Sequence, residues 1–213
     1  MSKPLLVIAV AAVATVTITG SARIAAAQEL TETPRRRQGY YFAAGYGLGQ
    51  TQARHEDENL GVWPSGKLAL RAGQLLTKRF GLGLLIDTSA ATEGPTTRGV
   101  LGIAIEGQAT LVGNLALRTS VGFGALQIND KMGDKQVLRG GAYGSQFGLG
   151  ISYDWFPWTS NRSGGFAVTP TLEGRWLPGS RAGSFGAFAG VELTYWTGLP
   201  RNQLQLPESE SYR

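Results

Sequence analysis

Segment after segment of this chain alternates residue by residue. In Gly81 to Ser89 one face reads Gly81, Gly83, Leu85, Asp87, Ser89, and the other Phe80, Leu82, Leu84, Ile86, Thr88. In Gly102 to Thr110 one face holds Gly102, Ala104, Glu106 and Gln108, while Leu101, Ile103, Ile105 and Ala109 fill the other. Period two specifies strands. A small, polar face carrying a single charge, backed by a broad apolar face, suits a sheet whose interior is polar and whose exterior meets hydrocarbon. Eight such segments predict an all-β fold: a closed eight-stranded antiparallel up-and-down transmembrane β-barrel.

Composition agrees with an exterior that is not built for water. Charged residues make up 16 % of the chain, against about 25 % in an ordinary soluble domain. Glycine, at 31 residues, is about twice its usual share. Cysteine is absent, which removes both a disulfide framework and a thiolate metal site. The N-terminus has a short basic start (Met1-Ser2-Lys3), an apolar run from Pro4 to Ile18, and the small residues Ala25-Ala26-Ala27. That is the layout of a cleaved secretory signal peptide over residues 1–27. The apolar run falls short of the roughly 20 residues a spanning helix needs. Removing residues 1–27 takes the formal net charge from +5 to +3 by loss of Lys3 and Arg23. So small a balance, with no basic face interleaved with aromatics, gives no reason to expect nucleic acid.

Residues 28–38 form a polar lead ending in Arg35-Arg36-Arg37-Gln38, where the three arginines read as a solvated tail. The barrel is expected over residues 39–197 and a polar tail over 198–213. Within the barrel the strands are Gly39 to Gln50, Lys67 to Leu76, Phe80 to Ser89, Arg98 to Leu111, Leu115 to Ile128, Val137 to Trp155, Gly165 to Trp176 and Phe185 to Trp196. Thr51 to Ser65, Ala91 to Thr97, Asn129 to Lys135 and Pro178 to Ser184 read as loops at one end. Tighter turns alternate with them at the other, the asymmetry of outer-membrane barrels. Pro170 inside strand seven predicts a bulge or a slipped register, because it lacks an N–H.

With the polar face inward, the interior collects Lys67, Arg71, Arg118 and Arg175 against Asp87, Glu106, Asp154, Glu173 and Glu192. Near-balance is what a closed interior requires, because a buried charge is tolerable only when paired. The expected interior network is Arg71, Asp87, Glu106, Arg118, Glu173, Arg175 and Glu192. Eight strands leave an interior just wide enough for side chains to fill, so the reading is a plugged barrel. Leu85, Leu126 and Phe188 also fall on the inward face, against the general pattern. Phe80, Tyr153, Trp155, Phe156, Trp158, Tyr195 and Trp196 cluster at the turn-proximal strand ends and are expected to form an interfacial aromatic girdle.

The signal peptide, the opening GYYFAAGYGLG, the eight alternating segments and the aromatic-ended FGAFAGVELTYW resemble small outer-membrane β-barrel proteins of the OmpA and OmpX type. The resemblance covers roughly residues 39–197 and is one of architecture. It implies residence in the outer membrane of a Gram-negative cell, contact with outer-membrane lipids, and insertion by the barrel-assembly machinery. In that family the last strand ends at or near the C-terminus; here Tyr195-Trp196 is followed by a polar tail too short for a peptidoglycan-binding domain.

No catalytic residues, cofactor or metal site are expected, and the role implied is structural or surface-interactive, with an external partner of unknown kind. His55 is the only histidine, which excludes a several-histidine metal centre. A lipid A-modifying enzyme would need His55 near a serine such as Ser89, beside Asp87 and Thr88, and no spacing brings them together. GYGLG and GVLG lie inside alternating strands, so they do not read as phosphate loops. The alternative function is a secreted, lipocalin-like small-ligand carrier, which would need the faces reversed. A narrow pore is a further variant of the same barrel.

Overall fold

A computed structural model of the chain describes residues 37–55, 58–132, 135–157, 164–179 and 182–198. The expected signal peptide, most of the lead, Trp158 and the tail beyond residue 198 lie outside these. The described chain forms eight strands: β1 (Tyr40–His55), β2 (Glu58–Leu75), β3 (Phe80–Glu93), β4 (Thr96–Val112), β5 (Leu115–Met132), β6 (Lys135–Tyr153), β7 (Gly165–Leu177) and β8 (Ala182–Trp196). Each pairs antiparallel with its neighbours in sequence, and β8 closes onto β1, giving an up-and-down barrel with no free edge in the strand order. Closure pairs Tyr41 with Trp196 at one end and His55 with Ala182 at the other. The first is called here the terminal end, and the second the hairpin end.

Alternation decides which face goes where. Along β3 the burial pattern strictly alternates through Phe80 to Ala91, apart from a half-buried Gly83, with Leu82, Leu84 and Ile86 exposed while Leu85, Asp87 and Ser89 are buried. Leucines, isoleucines and aromatics of the other strands share that outward band, among them Leu48, Leu70, Leu101, Ile105, Phe123, Leu149, Leu172 and Leu193. The polar side chains are inside. A water-soluble carrier needs the opposite arrangement, so the lipocalin-like reading fails on the sidedness of the wall.

Three expected loops are instead strand. Thr51 to Ser65, Ala91 to Thr97 and Asn129 to Lys135 lie largely within the β1–β2, β3–β4 and β5–β6 ladders. Their polar composition alone suggests turns. Strands that continue past hydrocarbon keep the ladder but trade apolar outward residues for polar ones such as Gln50, Gln52 and Gln127. Short turns suffice where glycine takes up positive φ: Gly94 at φ 57° between β3 and β4, and Gly113 at φ 54° between β4 and β5. The β2–β3 turn is held by Thr77, whose hydroxyl accepts from the amides of Arg79 (3.2 Å) and Phe80 (3.0 Å).

Pro170 produces neither a bulge nor a slip. The β6–β7 ladder runs in one register from Phe147↔Trp176 to Ser152↔Thr171 and resumes in that register at Trp155↔Val168. The two missing pairs, Tyr153/Pro170 and Asp154/Thr169, share the bond that a residue-170 N–H would have donated. The sheet gives up one hydrogen bond and recovers at once, with Trp155 and Val168 exchanging bonds of 2.9 and 2.8 Å. The irregularity in β6 lies elsewhere: Ile128 pairs with Gly140 and Asn129 with Leu138, a bulge at Arg139.

Candidate functional site: the charged interior

Inward-facing side chains stack in layers along the barrel. At the centre Arg71 of β2 faces three carboxylates from three other strands. Its Nε donates to Glu106 Oε2 at 2.9 Å, and its two Nη groups reach Glu192 and Glu173. Arg118 of β5 donates to the second oxygen of Glu192 at 2.7 Å and lies 4.0 Å from Glu173. A guanidinium fork suits this position because its donors diverge in one plane and match several carboxylates at once. Lys67 bonds Glu173 and lies 3.6 Å from Asp87, linking this layer to the next. There Arg175 Nη1 donates to Asp87 Oδ2 at 2.9 Å, Gln146 donates to Asp87 Oδ1 at 3.1 Å, and Arg175 also bonds Ser89. The structure thus joins all seven of the expected interior residues, with Lys67, through a continuous set of ion pairs.

Towards the terminal end lies a separate group that the sequence did not reveal. Asp154, just after β6, accepts from Thr169 at 2.7 Å, and Thr169 contacts the Thr194 hydroxyl at 2.9 Å. Its ionic partner is Arg37, Nε to Oδ2 at 2.8 Å. Arg37 also donates to Thr110 at 3.2 Å and lies over Trp196, 5.2 Å from the ring centroid. Burial lowers the Arg37 pKa from its ordinary value, and the neighbouring Asp154 opposes that shift. The expectation of a solvated arginine tail is therefore corrected at Arg37, which is 6 % exposed. With Arg98, buried near the hairpin end, it adds to the four cations expected inside.

Trp196 requires a second correction. It is 1 % exposed and faces inward, packed on Tyr41 at 5.0 Å between ring centroids. It shares the parity of Glu192 and Thr194, and parity rather than position at a strand end sets its direction. Phe80, Tyr153, Trp155 and Tyr195 do point outward at that end, joined by Tyr40, Phe42 and Phe166, and Phe166 stacks on Tyr195 at 4.9 Å. Phe156 is half-buried. A second outward aromatic group, outside the expected girdle, consists of Trp176 and Phe185 near the hairpin end of β7 and β8 with Phe147 of β6, whose ring lies 5.9 Å from that of Trp176.

The interior changes character at the hairpin end. Ala53, Val100, Leu126, Ile128, Leu177 and Ala182 form a buried apolar cluster. Leu126 therefore belongs to a core of the ordinary kind, in the part of the barrel where outward residues turn polar. Phe188 lies beneath two cations instead, 5.6 Å from both Lys67 Nζ and the Arg175 guanidinium; Leu85 packs with Ala69 and Ala104. Arg98 stacks on Trp63 at 3.1 Å and donates to the carbonyls of Leu60 (2.8 Å) and Gly61 (3.3 Å). His55 and Ser89 are not brought together. Ser89 is buried against Arg175, whereas the His55 ring lies against Gly140 of β6, where an added Cβ would fall 1.9 Å from its Nε2. Among the described residues no cluster of three or more metal-ligating side chains occurs.

No protein-family model matches the sequence, and no curated protein matches it either. Solved structures do match. The chain is similar to Ail, the attachment invasion locus protein of Yersinia pestis, at 10 % identity and TM-score 0.55, over 74 % of this chain and 99 % of that one. It is also similar to Neisserial surface protein A at 12 % identity and TM-score 0.50, over 73 % of this chain and 97 % of that one. At such identities the likeness is one of fold, and it extends over nearly the full length of each neighbour.

Proposed function

We propose that this chain is an outer-membrane β-barrel with a plugged polar interior, exported by a cleaved signal peptide over residues 1–27, and serving the envelope in a structural or surface-interaction role. The observation that carries this reading is the sidedness of the wall at one layer. Ile105 points outward and exposed, while its neighbour Glu106 is buried against Arg71. Hydrocarbon outside and paired charge inside is stable only with lipid around the barrel. The outward aromatics near both ends of the apolar band support the same placement, since such side chains favour the interface. On this reading the partners are outer-membrane lipids and, during insertion, the barrel-assembly machinery. The polar hairpins β1–β2, β3–β4 and β5–β6 face the outside and offer the surface for an external partner.

Plugging follows from the layers. An ion of either sign entering along the axis would have to displace Arg71 from three carboxylates and then cross the apolar cluster of Val100, Leu126, Ile128 and Leu177. No group in these layers is arranged for a covalent reaction, and the role needs no cofactor. The test is membrane fractionation with a gel run before and after boiling, followed by planar-bilayer recording. A detergent-dependent, heat-modifiable band without discrete conductance is expected. A water-soluble monomer contradicts the membrane reading, and steady unit conductance contradicts the plug.

A further inference from the structure

Arg37 reaches the interior from outside the eight strands. The cations of the central ion-pair network (Lys67, Arg71, Arg118, Arg175) are anchored within strands, whereas Arg37 is carried by the short segment that precedes β1. The backbone of that segment continues the wall at the terminal end, and the Arg37 side chain turns from it into the mouth. Gly39 accepts from the Leu75 amide at 3.0 Å and Gln38 from the Gly198 amide at 3.1 Å, so backbone of β2 and of the stretch after β8 holds it on both sides. Beneath it, Trp196 and Tyr41 stack in turn. Deeper still is a set of buried polar atoms without side-chain or backbone partners among the described residues: the Tyr41 hydroxyl, Glu106 Oε1, Arg118 Nε and both polar atoms of Gln108. Gln108 sits beside Arg118 in the β4–β5 register. Groups of this kind are ordinarily satisfied by water.

We propose that Arg37 is a removable stopper: it seals the terminal mouth, and its withdrawal from Asp154 admits solvent and small solutes as far as the Gln108 layer, where the Arg71 ion pairs stop them. The inference rests on the plugged interior proposed above and adds a gate to it. Three features make Arg37 suited to this. Its segment is tied by few backbone bonds where a strand has many. Its side chain is held by one carboxylate, one hydroxyl and one ring, all at the mouth. The β1–β8 ladder runs from Tyr41↔Trp196 to His55↔Ala182 without it, so its withdrawal breaks the two backbone bonds at Gln38 and Gly39 and leaves that ladder intact.

The chain has no cysteine, so accessibility is read from a single introduced thiol. Gln108→Cys is made in the full-length, membrane-extracted protein, with Arg37 intact or as Arg37→Ala, and modified with a small methanethiosulfonate reagent. Labelling of a buried site follows the population of the open state, so Arg37→Ala should speed it by about tenfold or more, and Arg37→Lys should restore most of the protection. Asp154→Asn is a second route to the same opening that leaves Arg37 in place; if Arg37→Ala fails to fold, it carries the test. Equal labelling rates with and without the Arg37–Asp154 pair overturn the stopper. A second reporter, Val100→Cys in the apolar cluster, should label slowly in every background. Fast labelling at Val100→Cys with Arg37 intact contradicts the plugged interior itself, a failure separate from that of the stopper.

Discussion

Arg37 Nε lies 2.8 Å from Asp154 Oδ2, joining a residue ahead of the first strand to one just beyond the sixth. Both side chains are almost fully buried, at 4 % and 1 % exposure. Breaking a buried pair by deleting one partner leaves an uncompensated charge, at a cost of about 3–5 kcal/mol. Arg37→Ala is therefore expected to lower unfolding stability by that order, measured by urea titration of the detergent-folded or liposome-folded barrel. The double variant with Asp154→Asn should lose less than the single one, because it removes the stranded carboxylate. A double variant as unstable as the sum of the singles would show that the two residues are not coupled.

Arg71 is the node of the central layer. Arg71→Ala strands Glu106 and leaves Glu173 to Lys67 and Glu192 to Arg118, so its loss should be at least as large as that of Arg37, on the order of 3–5 kcal/mol. Arg71→Lys is expected to rescue only part of it, since an ammonium is a point charge and does not match three carboxylates as a planar fork does. The same urea titration, with gel mobility before and after boiling as the check for folding, decides both.

Gly122 and Gly99 should respond in opposite ways to the same change. A Cβ on Gly122 would fall 2.1 Å from the Ile103 carbonyl oxygen and 2.4 Å from the Ala104 Cα, so backbone would have to move. Gly122→Ala is expected to cost about 1–3 kcal/mol by overpacking. Nothing lies within 4 Å of a Cβ on Gly99, and Gly99→Ala should be neutral within about 0.5 kcal/mol. Equal losses at the two positions would contradict the packing described.

Lipid contact makes a depth-dependent prediction. Leu84 is outward near the middle of the apolar band, and Gln52 is outward past its hairpin end. Leu84→Arg should destabilise the folded barrel by about 2–4 kcal/mol, and Gln52→Arg by at most about 1 kcal/mol. Comparable effects at the two sites in liposome refolding would mean that the band is not where hydrocarbon lies.

Much of this was legible in the sequence because period two is a local property. The eight strands through the apolar band, the face each residue takes there and the charges of the central network follow from it. The direction of Trp196 was legible too: a tryptophan two residues beyond Thr194 and four beyond Glu192 must share their face. The hairpins β1–β2, β3–β4 and β5–β6 were not, since polar residues such as Gln50 and Gln52 occupy a strand beyond hydrocarbon as readily as a loop. Arg37 was beyond reach for another reason. Its partner Asp154 is fixed by closure of the barrel, which brings the segment before β1 beside the end of β6, and no spacing along the chain encodes that approach.

Which face of the wall meets lipid is the claim on which the rest depends. The direct measurement is a nitroxide scan through β4, with single cysteines from Leu101 to Glu106 in the otherwise cysteine-free protein reconstituted in bilayers, read by accessibility to oxygen against a polar nickel chelate. Leu101, Ile103 and Ile105 are predicted to be oxygen-accessible, and positions 102, 104 and 106 protected from it. Uniform accessibility along the scan, or the opposite alternation, would contradict the account.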